Sequence, residues 1–445
     1  MPSVAGLTTT DYNGWLKRSY IPKWKETFNQ KVPCYDAIIK TLKNYQYDGE
    51  TGGLRWIVDS TRSWSGGARN AHEAVPSGFE MPADQASEYI KRLYFTADID
   101  GMALDAGKSS AGGVGAALTR AMKKCDEQAR YYFGVNMYGF HSNSTATSSL
   151  NGVRAKVVSV AGGTVITLKD PLGYVQGTDV PSIGAGRYLS VGARIVWGTR
   201  TELANNTVPA GAFGRVTSVN HANQTVTLTA APGHAPVLDD FIVLGNAPAE
   251  HEFNKTIGGL GTLVKQGAGD GAGSTIHGLS LSSGDFTKWA TLTKDVNGPF
   301  AMDDLHKLIR NVEALSGGEA RLLVADETFY SEFQSSLIND VRFEPEKLKG
   351  GYEIPTFLSM GKRFKLHMDS LAPYGTVFAL DRDNMFWIKQ RELGWDDRGG
   401  SVLRQKEGQD DYHVRLTAYI QFAFMLINAH AVMKRVTISD APYSI

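Results

Sequence analysis

The residue types that most often do chemistry are present in this chain but are not arranged for it. Ten histidines are scattered singly along 445 residues, with no His-Glu-x-x-His pair and no His/Cys cluster at the spacing of a zinc or iron site. They read as surface or hydrogen-bonded core histidines. Cys34 and Cys125 lie 91 positions apart without a second pair, which gives neither a metal knuckle nor a disulfide framework and points to folding in a reducing cytosol. The carboxylate pairs Asp303-Asp304, Asp396-Asp397 and Asp410-Asp411 are sequence neighbours; such neighbours point to opposite faces of a strand, or diverge by about 100° on a helix. They read as solvated or capping groups, not as an acid/base couple. Gly267-Ala-Gly-Asp-Gly-Ala-Gly-Ser274 is rich in glycine but lacks the lysine and the strand-to-helix setting of a phosphate cradle, and there is no Gly-x-Ser-x-Gly elbow. The reading is of a chain without catalytic residues, metal ligands or cofactors.

The remaining question is what the chain's elements position. Lysine plus arginine and aspartate plus glutamate number 46 each, so the net charge is zero, and no basic surface for indiscriminate nucleic-acid binding is advertised. Glycine makes up 48 of 445 residues, about eleven per cent against a usual ~7 %, which implies many turns and long loops. The N-terminal Met1-Pro2-Ser3-Val4-Ala5-Gly6 lacks the basic and apolar regions of a signal peptide. The most apolar window, 419–433, is shorter than a membrane span and contains Gln421, Asn428 and His430; it reads as one buried strand.

Residues 1–52 mix Trp15, Tyr20, Trp24, Phe28 and Tyr35 with lysines, Pro22 and Pro33. Proline breaks any long helix here, so the segment is either a strap over its own domain or an arm reaching a neighbouring subunit. Residues 54–64 and 88–99 are rich in β-branched and aromatic residues and predict the two arms of a hairpin. Arms of about ten residues at ~3.3 Å each would project roughly 30 Å around a Gly- and Pro-rich tip at 65–84. A lone hairpin is marginal in water, so another surface must cover it, either a partner's or the chain's own body. Val114, Leu118, Met122, Cys125, Ala129 and Phe133 then recur at helical spacing, predicting a helix of some 25 residues, about 38 Å long.

Residues 151–247 change to short β-branched runs with few charges, and they repeat. Lys156–Val160, a three-residue turn and Thr164–Leu168 correspond to Arg215–Val219, a five-residue turn and Thr225–Leu228, while Ala193–Trp197 and Asp240–Leu244 add strands. Without a helix signal, the segment predicts a small antiparallel barrel or sandwich inserted into the host; the alternative is that its strands extend the host sheet. Beyond it, Leu305, Leu308, Ile309, Val312 and Leu315 trace a helix face ended by Gly317-Gly318, 321–325 is a buried strand, and Asp326 is placed to cap a helix carrying Phe329, Phe333 and Leu337. Val414, Leu416, Ala418, Ile420, Phe422, Phe424 and Leu426 hold one face of a closing strand. The fold class is α+β.

The order of these segments resembles the major capsid protein of tailed bacteriophages, the fold named after phage Hong Kong ninety-seven. The resemblance spans nearly all the chain outside 151–247. It rests on Gly66-Gly-Ala-Arg69 with Glu73 and Pro76, on Ile257-Gly-Gly-Leu260, on Ile276-His-Gly278 and Trp289, on Gly361-Lys-Arg-Phe-Lys-Leu-His-Met-Asp369 with Pro373, on Trp395-Asp-Asp-Arg-Gly-Gly-Ser401, and on Asn428-Ala-His-Ala-Val-Met. It implies an N-terminal arm at 1–52, a hairpin called the E-loop at 53–100, a peripheral domain with a spine helix at 101–150, the inserted β domain at 151–247, a connecting segment at 248–289, an axial domain at 290–370 and peripheral closing strands at 371–445. It further implies a structural, non-enzymatic protein that assembles with itself as pentamers and hexamers into an icosahedral head. That head would be built in the host cytoplasm, with scaffolding, portal and decoration proteins as partners, double-stranded DNA enclosed without sequence-specific binding, and no membrane. Trp15, Trp24, Trp56, Trp64, Arg69 and Glu73 are the candidate intersubunit contacts. Some members form Lys-to-Asn bonds between subunits; Lys91 sits on a hairpin arm and not at the tip, and cross-linking is left open. An encapsulin-like protein-cargo shell is the nearest alternative, and a glycan-processing enzyme with a β accessory module a more distant one.

Overall fold

The computed structural model describes residues 38, 43–46, 53–59, 83–101, 114–139, 151–169, 185–263, 275–280, 290–326, 329, 332–333, 344–347, 353–359, 362–397, 402–405, 407–408 and 410–436. The chain opens with β1 (Lys43–Gln46), β2 (Gly53–Asp59), β3 (Ala83–Tyr89) and β4 (Lys91–Asp100), followed by helix α1 (Val114–Asn136). α1 has the predicted place and nearly the predicted length, 23 residues or about 35 Å. Its Cys125, Ala129 and Phe133 are buried, as the spacing requires.

The hairpin departs from expectation. β2 pairs antiparallel with β3, Gly53 opposite Tyr89 through Asp59 opposite Ala83, whereas most of the expected second arm belongs to β4 in a different sheet. The described parts of the two arms are seven residues each and span about 23 Å; 60–64 of the expected first arm lie outside the described residues. Ala83-Asp-Gln-Ala-Ser-Glu-Tyr89 contains no β-branched residue, so its strand character comes from pairing and burial and not from propensity.

Strands β5 (Val153–Ala161), β6 (Val165–Lys169) and β7 (Arg194–Gly198), helix α2 (Arg200–Asn205), and strands β8 (Phe213–Asn220), β9 (Thr225–Leu228), β10 (Phe241–Ala247) and β11 (Glu250–His251) come next. Their order is β11-β10-β5-β6-β9-β8-β7, and β10 also pairs with β7, so six strands close into an antiparallel barrel. Closure removes the exposed edges of an open sheet. Val157, Ile166, Leu168, Ile195, Trp197, Val216, Val226 and Ile242 are buried. The expectation of no helix here is corrected by α2: Thr199 and Glu202 form a reciprocal capping box at its start.

The body continues with β12 (Thr275–Ile276), β13 (Leu279–Ser280), β14 (Leu292–Gly298), α3 (Met302–Ser316), β15 (Leu322–Ala325), β16 (Glu344–Lys347), β17 (Glu353–Ser359), β18 (Lys362–Met368), β19 (Val377–Leu380), β20 (Met385–Trp395), β21 (Leu403–Gln405), β22 (Asp411–Phe424) and β23 (Ala431–Val436). One sheet runs β14-β23-β19-β15-β18-β17-β16. Leu323, Ala325, Val377, Ala379 and Met433 on one of its faces pack with α3, while Leu322, Val324, Phe378, Leu380 and Val432 join a larger core on the other. The second sheet runs β1-β20-β22-β21, with β4 along the opposite edge of β22; α1 lies on it through Phe133 against Leu93, Ala418 and Ile420.

Three smaller expectations are corrected. The apolar window 419–433 is not one strand: β22 ends at Phe424 and β23 begins at Ala431 in the other sheet, because both stretches are buried and hydropathy does not mark the crossing. Leu315 is exposed at the end of α3, where Gly317 takes the left-handed conformation and closes the helix onto the Glu313 carbonyl. Asp396 is not solvated but buried, 3.6 Å from Arg391 and 3.7 Å from Arg404.

Candidate functional site

The polar residues that the fold buries lie at its joints. At the hairpin's root, Trp56 and Val58 of β2 and Ala86 and Glu88 of β3 face inward. Glu88 carries a charge into this apolar face, and every partner it needs is supplied: Oε2 lies 2.7 Å from His277 Nδ1, and Oε1 accepts from Gln421 Nε2 at 2.8 Å. Gln421 Oε1 accepts from the Gly258 and Phe422 amides. The Phe424 amide donates to His277 Nε2 at 3.3 Å, so the ring proton sits on Nδ1 and donates to Glu88. Trp56 closes the joint, edge-on to His277 and Phe386, with its indole N–H donating to the Met425 carbonyl. Four separate segments thus meet around one carboxylate, and a fully satisfied buried network of this kind fixes one arrangement.

Several of the sequence signatures find their physical reason here. His277 and Gly278, both at positive φ, form the two-residue turn of the β12–β13 hairpin and aim the imidazole inward. Gly259 is needed because a Cβ would collide with the Met137 carbonyl at the end of α1, the group to which the Leu260 amide donates at 2.5 Å. Asp369 accepts from the Tyr138 hydroxyl at 2.8 Å and the Leu371 amide at 2.9 Å. His430 accepts from the Asp381 amide at 3.1 Å, and burial pushes its pKa down to about 4 against the opposing pull of Asp381.

The second joint ties barrel to body. Arg187, buried, donates to the Ser370 carbonyl at 2.7 Å, to the Tyr188 hydroxyl at 2.9 Å and to the Ala372 carbonyl, and pairs with buried Asp326 at 3.5 Å. Its guanidinium stacks over Tyr374, 4.3 Å from the ring centroid. Tyr188 donates to the Leu371 carbonyl at 3.0 Å, and Tyr131 of α1 donates to the Arg187 carbonyl. At the barrel's base Asn151 meets the returning chain: the Asn254 amide donates to its carbonyl at 3.0 Å, and Thr256 exchanges bonds with its side chain. Beside them Tyr132 donates to Glu252 at 3.0 Å and Arg154 lies 3.4 Å from the same carboxylate oxygen; desolvation pushes the Glu252 carboxyl up against the pull of Arg154.

Of the candidate intersubunit residues, the described set includes only Trp56. At 9 % exposure it packs within its own chain, beside His277 and Phe386. The outer face of the same hairpin instead presents Ile57, 73 % exposed, and Tyr89, 42 % exposed. Sequence reasoning missed Ile57 because alternation along β2 does not say which face is covered. Trp15, Trp24, Trp64, Arg69, Glu73 and the hairpin tip lie outside the described residues. Among the described residues no group of three His, Cys, Asp or Glu could hold a metal ion, and no helix is long and apolar enough to cross a membrane.

No family model matches the chain, and no curated protein matches it. Solved structures do. The capsid asymmetric unit of cyanophage A-1(L) is similar with a TM-score of 0.53 and 10 % identity, over 94 % of this chain and 96 % of that one. The holo-SrpI encapsulin complex from Synechococcus elongatus PCC 7942 is similar at 0.45 and 10 %, over 96 % of each chain. The capsid of a native GTA particle is similar at 0.44 and 10 %, over 98 % and 100 %. The cyanophage likeness shows the fold: this chain has the phage-capsid fold that its segment order resembles.

Proposed function

We propose that the chain is the major capsid protein of a tailed bacteriophage, a structural subunit that assembles with itself into pentamers and hexamers and encloses double-stranded DNA in an icosahedral shell. The observation that carries this reading is the capsid fold matched over nearly the full length of both chains. It is supported by a hairpin sheet with two strands among the described residues, whose inner face is used by its own body and whose outer face exposes Ile57 and Tyr89. Exposed apolar residues on a projecting element are stabilised when a neighbour covers them. In this reading 1–52 is the arm, 53–100 the hairpin, 101–150 and 371–445 the peripheral domain, 248–289 the connection and 290–370 the axial domain. The barrel at 151–247 is an inserted domain: the chain that enters it at Asn151 is met by the chain that leaves it, through Thr256, the geometry an insertion requires. Scaffolding, portal and decoration proteins are the partners this role entails, with the virion as its location.

The encapsulin-like shell remains the second reading, since it uses the same architecture with protein cargo. Purified particles examined by electron microscopy and assayed for nucleic acid separate the two. Closed shells from a phage-producing culture that hold nuclease-protected DNA are expected. Shells that hold only protein would transfer the chain to the second reading, and a uniform population of monomers would remove both.

A further inference from the structure

One corner of the barrel carries two arginines that the fold leaves without an anion. β7 and β8 pair antiparallel with Arg194 opposite Arg215, Ile195 opposite Gly214 and Val196 opposite Phe213. Directly opposed side chains share a face with Cβ atoms about 5 Å apart, and like charges so placed destabilise the pair. The preceding turn folds over the same edge: the Gly192 amide donates to the Val216 carbonyl at 2.8 Å and the Val216 amide to the Ala193 carbonyl at 2.9 Å. A Cβ on Gly192 would stand 3.8 Å from the Arg215 Nη2 atom, which places that guanidinium over the turn beside Arg194.

The barrel's other arginines are all engaged. Arg154 meets Glu252, Arg187 meets Asp326, and Arg200 lies over the Phe241 ring. Arg194 and Arg215 have no side-chain ion pair, hydrogen bond or ring contact among the described residues. Their surroundings are apolar and open: Val191 is 67 % exposed and Phe213, two positions from Arg215 on the same face, is 45 % exposed. Two forked cations answer the geometry of carboxylates, and the flanking aromatic and aliphatic groups suit the apolar side chains of a peptide. A nucleic-acid backbone would call for a longer row of cations.

We propose that this corner is a docking surface for an acidic peptide segment of another protein, whose carboxylates neutralise Arg194 and Arg215 while an apolar side chain beside them covers Phe213 and Val191. The inference does not depend on shell assembly. The test uses the full chain and a fluorescein-labelled peptide alternating Glu with Leu and Phe, followed by anisotropy at low salt. The expected result is salt-sensitive binding that is weakened about tenfold or more both by replacing each Glu of the peptide with Gln and by the double variant Arg194→Gln/Arg215→Gln. Thermal melting supplies the second readout, since Arg215→Thr relieves the repulsion and leaves the melting temperature unchanged or higher. A lowered melting temperature for that variant would make the arginines structural and overturn the proposal. So would equal peptide binding by the double variant, or arginine-dependent binding of heparin without binding of the peptide, which would make the corner a sulfated-glycan surface.

Discussion

The barrel and the hairpin solve the same problem, exposed strand edges, in opposite ways. The barrel closes on itself through the β10–β7 pairing, fills its interior with Trp197 and its neighbours, and meets the body at a small buried joint centred on Arg187. The hairpin stays open: two strands, an inner face held down by Trp56 and the Glu88 network, and an outer face with Ile57 uncovered. Closure lets an element satisfy its strand edges from within; openness makes it depend on whatever lies beneath and beside it. In the proposed function, the difference separates an inserted part from a part that a neighbouring subunit covers.

The contrast is broken most strongly at Arg187. Arg187→Ala takes the guanidinium from buried Asp326 and removes the donors to two body carbonyls and to the Tyr188 hydroxyl, a loss of about 3–5 kcal/mol. The melting temperature of the whole chain should fall clearly, and adding Asp326→Asn should restore part of it. The barrel's buried residues join one hydrophobic cluster with Val324 and Phe378 of the body, but its strand edges are satisfied from within; if that closure gives it stability of its own, the fluorescence of Trp197, the only tryptophan within 151–247, should report a barrel that outlasts the body. Simultaneous loss would show that the barrel has no independent stability.

Trp56→Ala tests the hairpin side and should cost about 3 kcal/mol, since a buried aromatic and its indole hydrogen bond are lost. Hydrogen exchange should quicken in 53–59 and 83–89 while the barrel amides keep their protection. Uniform acceleration would contradict the separation of the two elements.

Acid sharpens the comparison further. His430 and His367 both belong to the body, and both are held at about 4. Burial is the main cause in each, joined for His367 by Arg382 and Lys365. Their folded values lie below the unfolded value near 6.5, so their neutral forms stabilise the fold fully above pH 6.5 and this contribution is lost as pH falls toward 4. The two together set a slope of up to about 2.7 kcal/mol per pH unit in that window. Denaturant titrations at pH 7, 6 and 5 should show it, and His367→Gln should reduce the slope by about half. An unchanged slope would exclude His367 as a contributor.

What was legible in the sequence follows from the range of the forces involved. The spine helix is written in one face, Cys125, Ala129 and Phe133, and the barrel in two repeated hairpins whose turns are local. Closure by β10 against β7 joins residues some forty-five positions apart, and no local pattern records it. β3 is invisible because Ala, Asp, Gln and Ser become a strand only by pairing with β2. Glu88 and Arg187 look like ordinary surface charges until the fold surrounds them with donors and acceptors. The signatures at 257–260, 276–278 and 428–430 were readable as marks of a fold, but not as the joints they prove to occupy. The Thr199–Glu202 capping box was readable on spacing alone and was hidden by the strands around it.

The central claim, that the hairpin's outer face is completed by another copy of the chain, is tested most directly by sedimentation velocity of the intact protein beside Ile57→Asp. The wild type should sediment as capsomers or shells, and the variant as a smaller species with an unchanged circular dichroism spectrum, because Ile57 is exposed within the subunit. A wild type that stays monomeric at high concentration, or a variant that assembles as the wild type does, would contradict it.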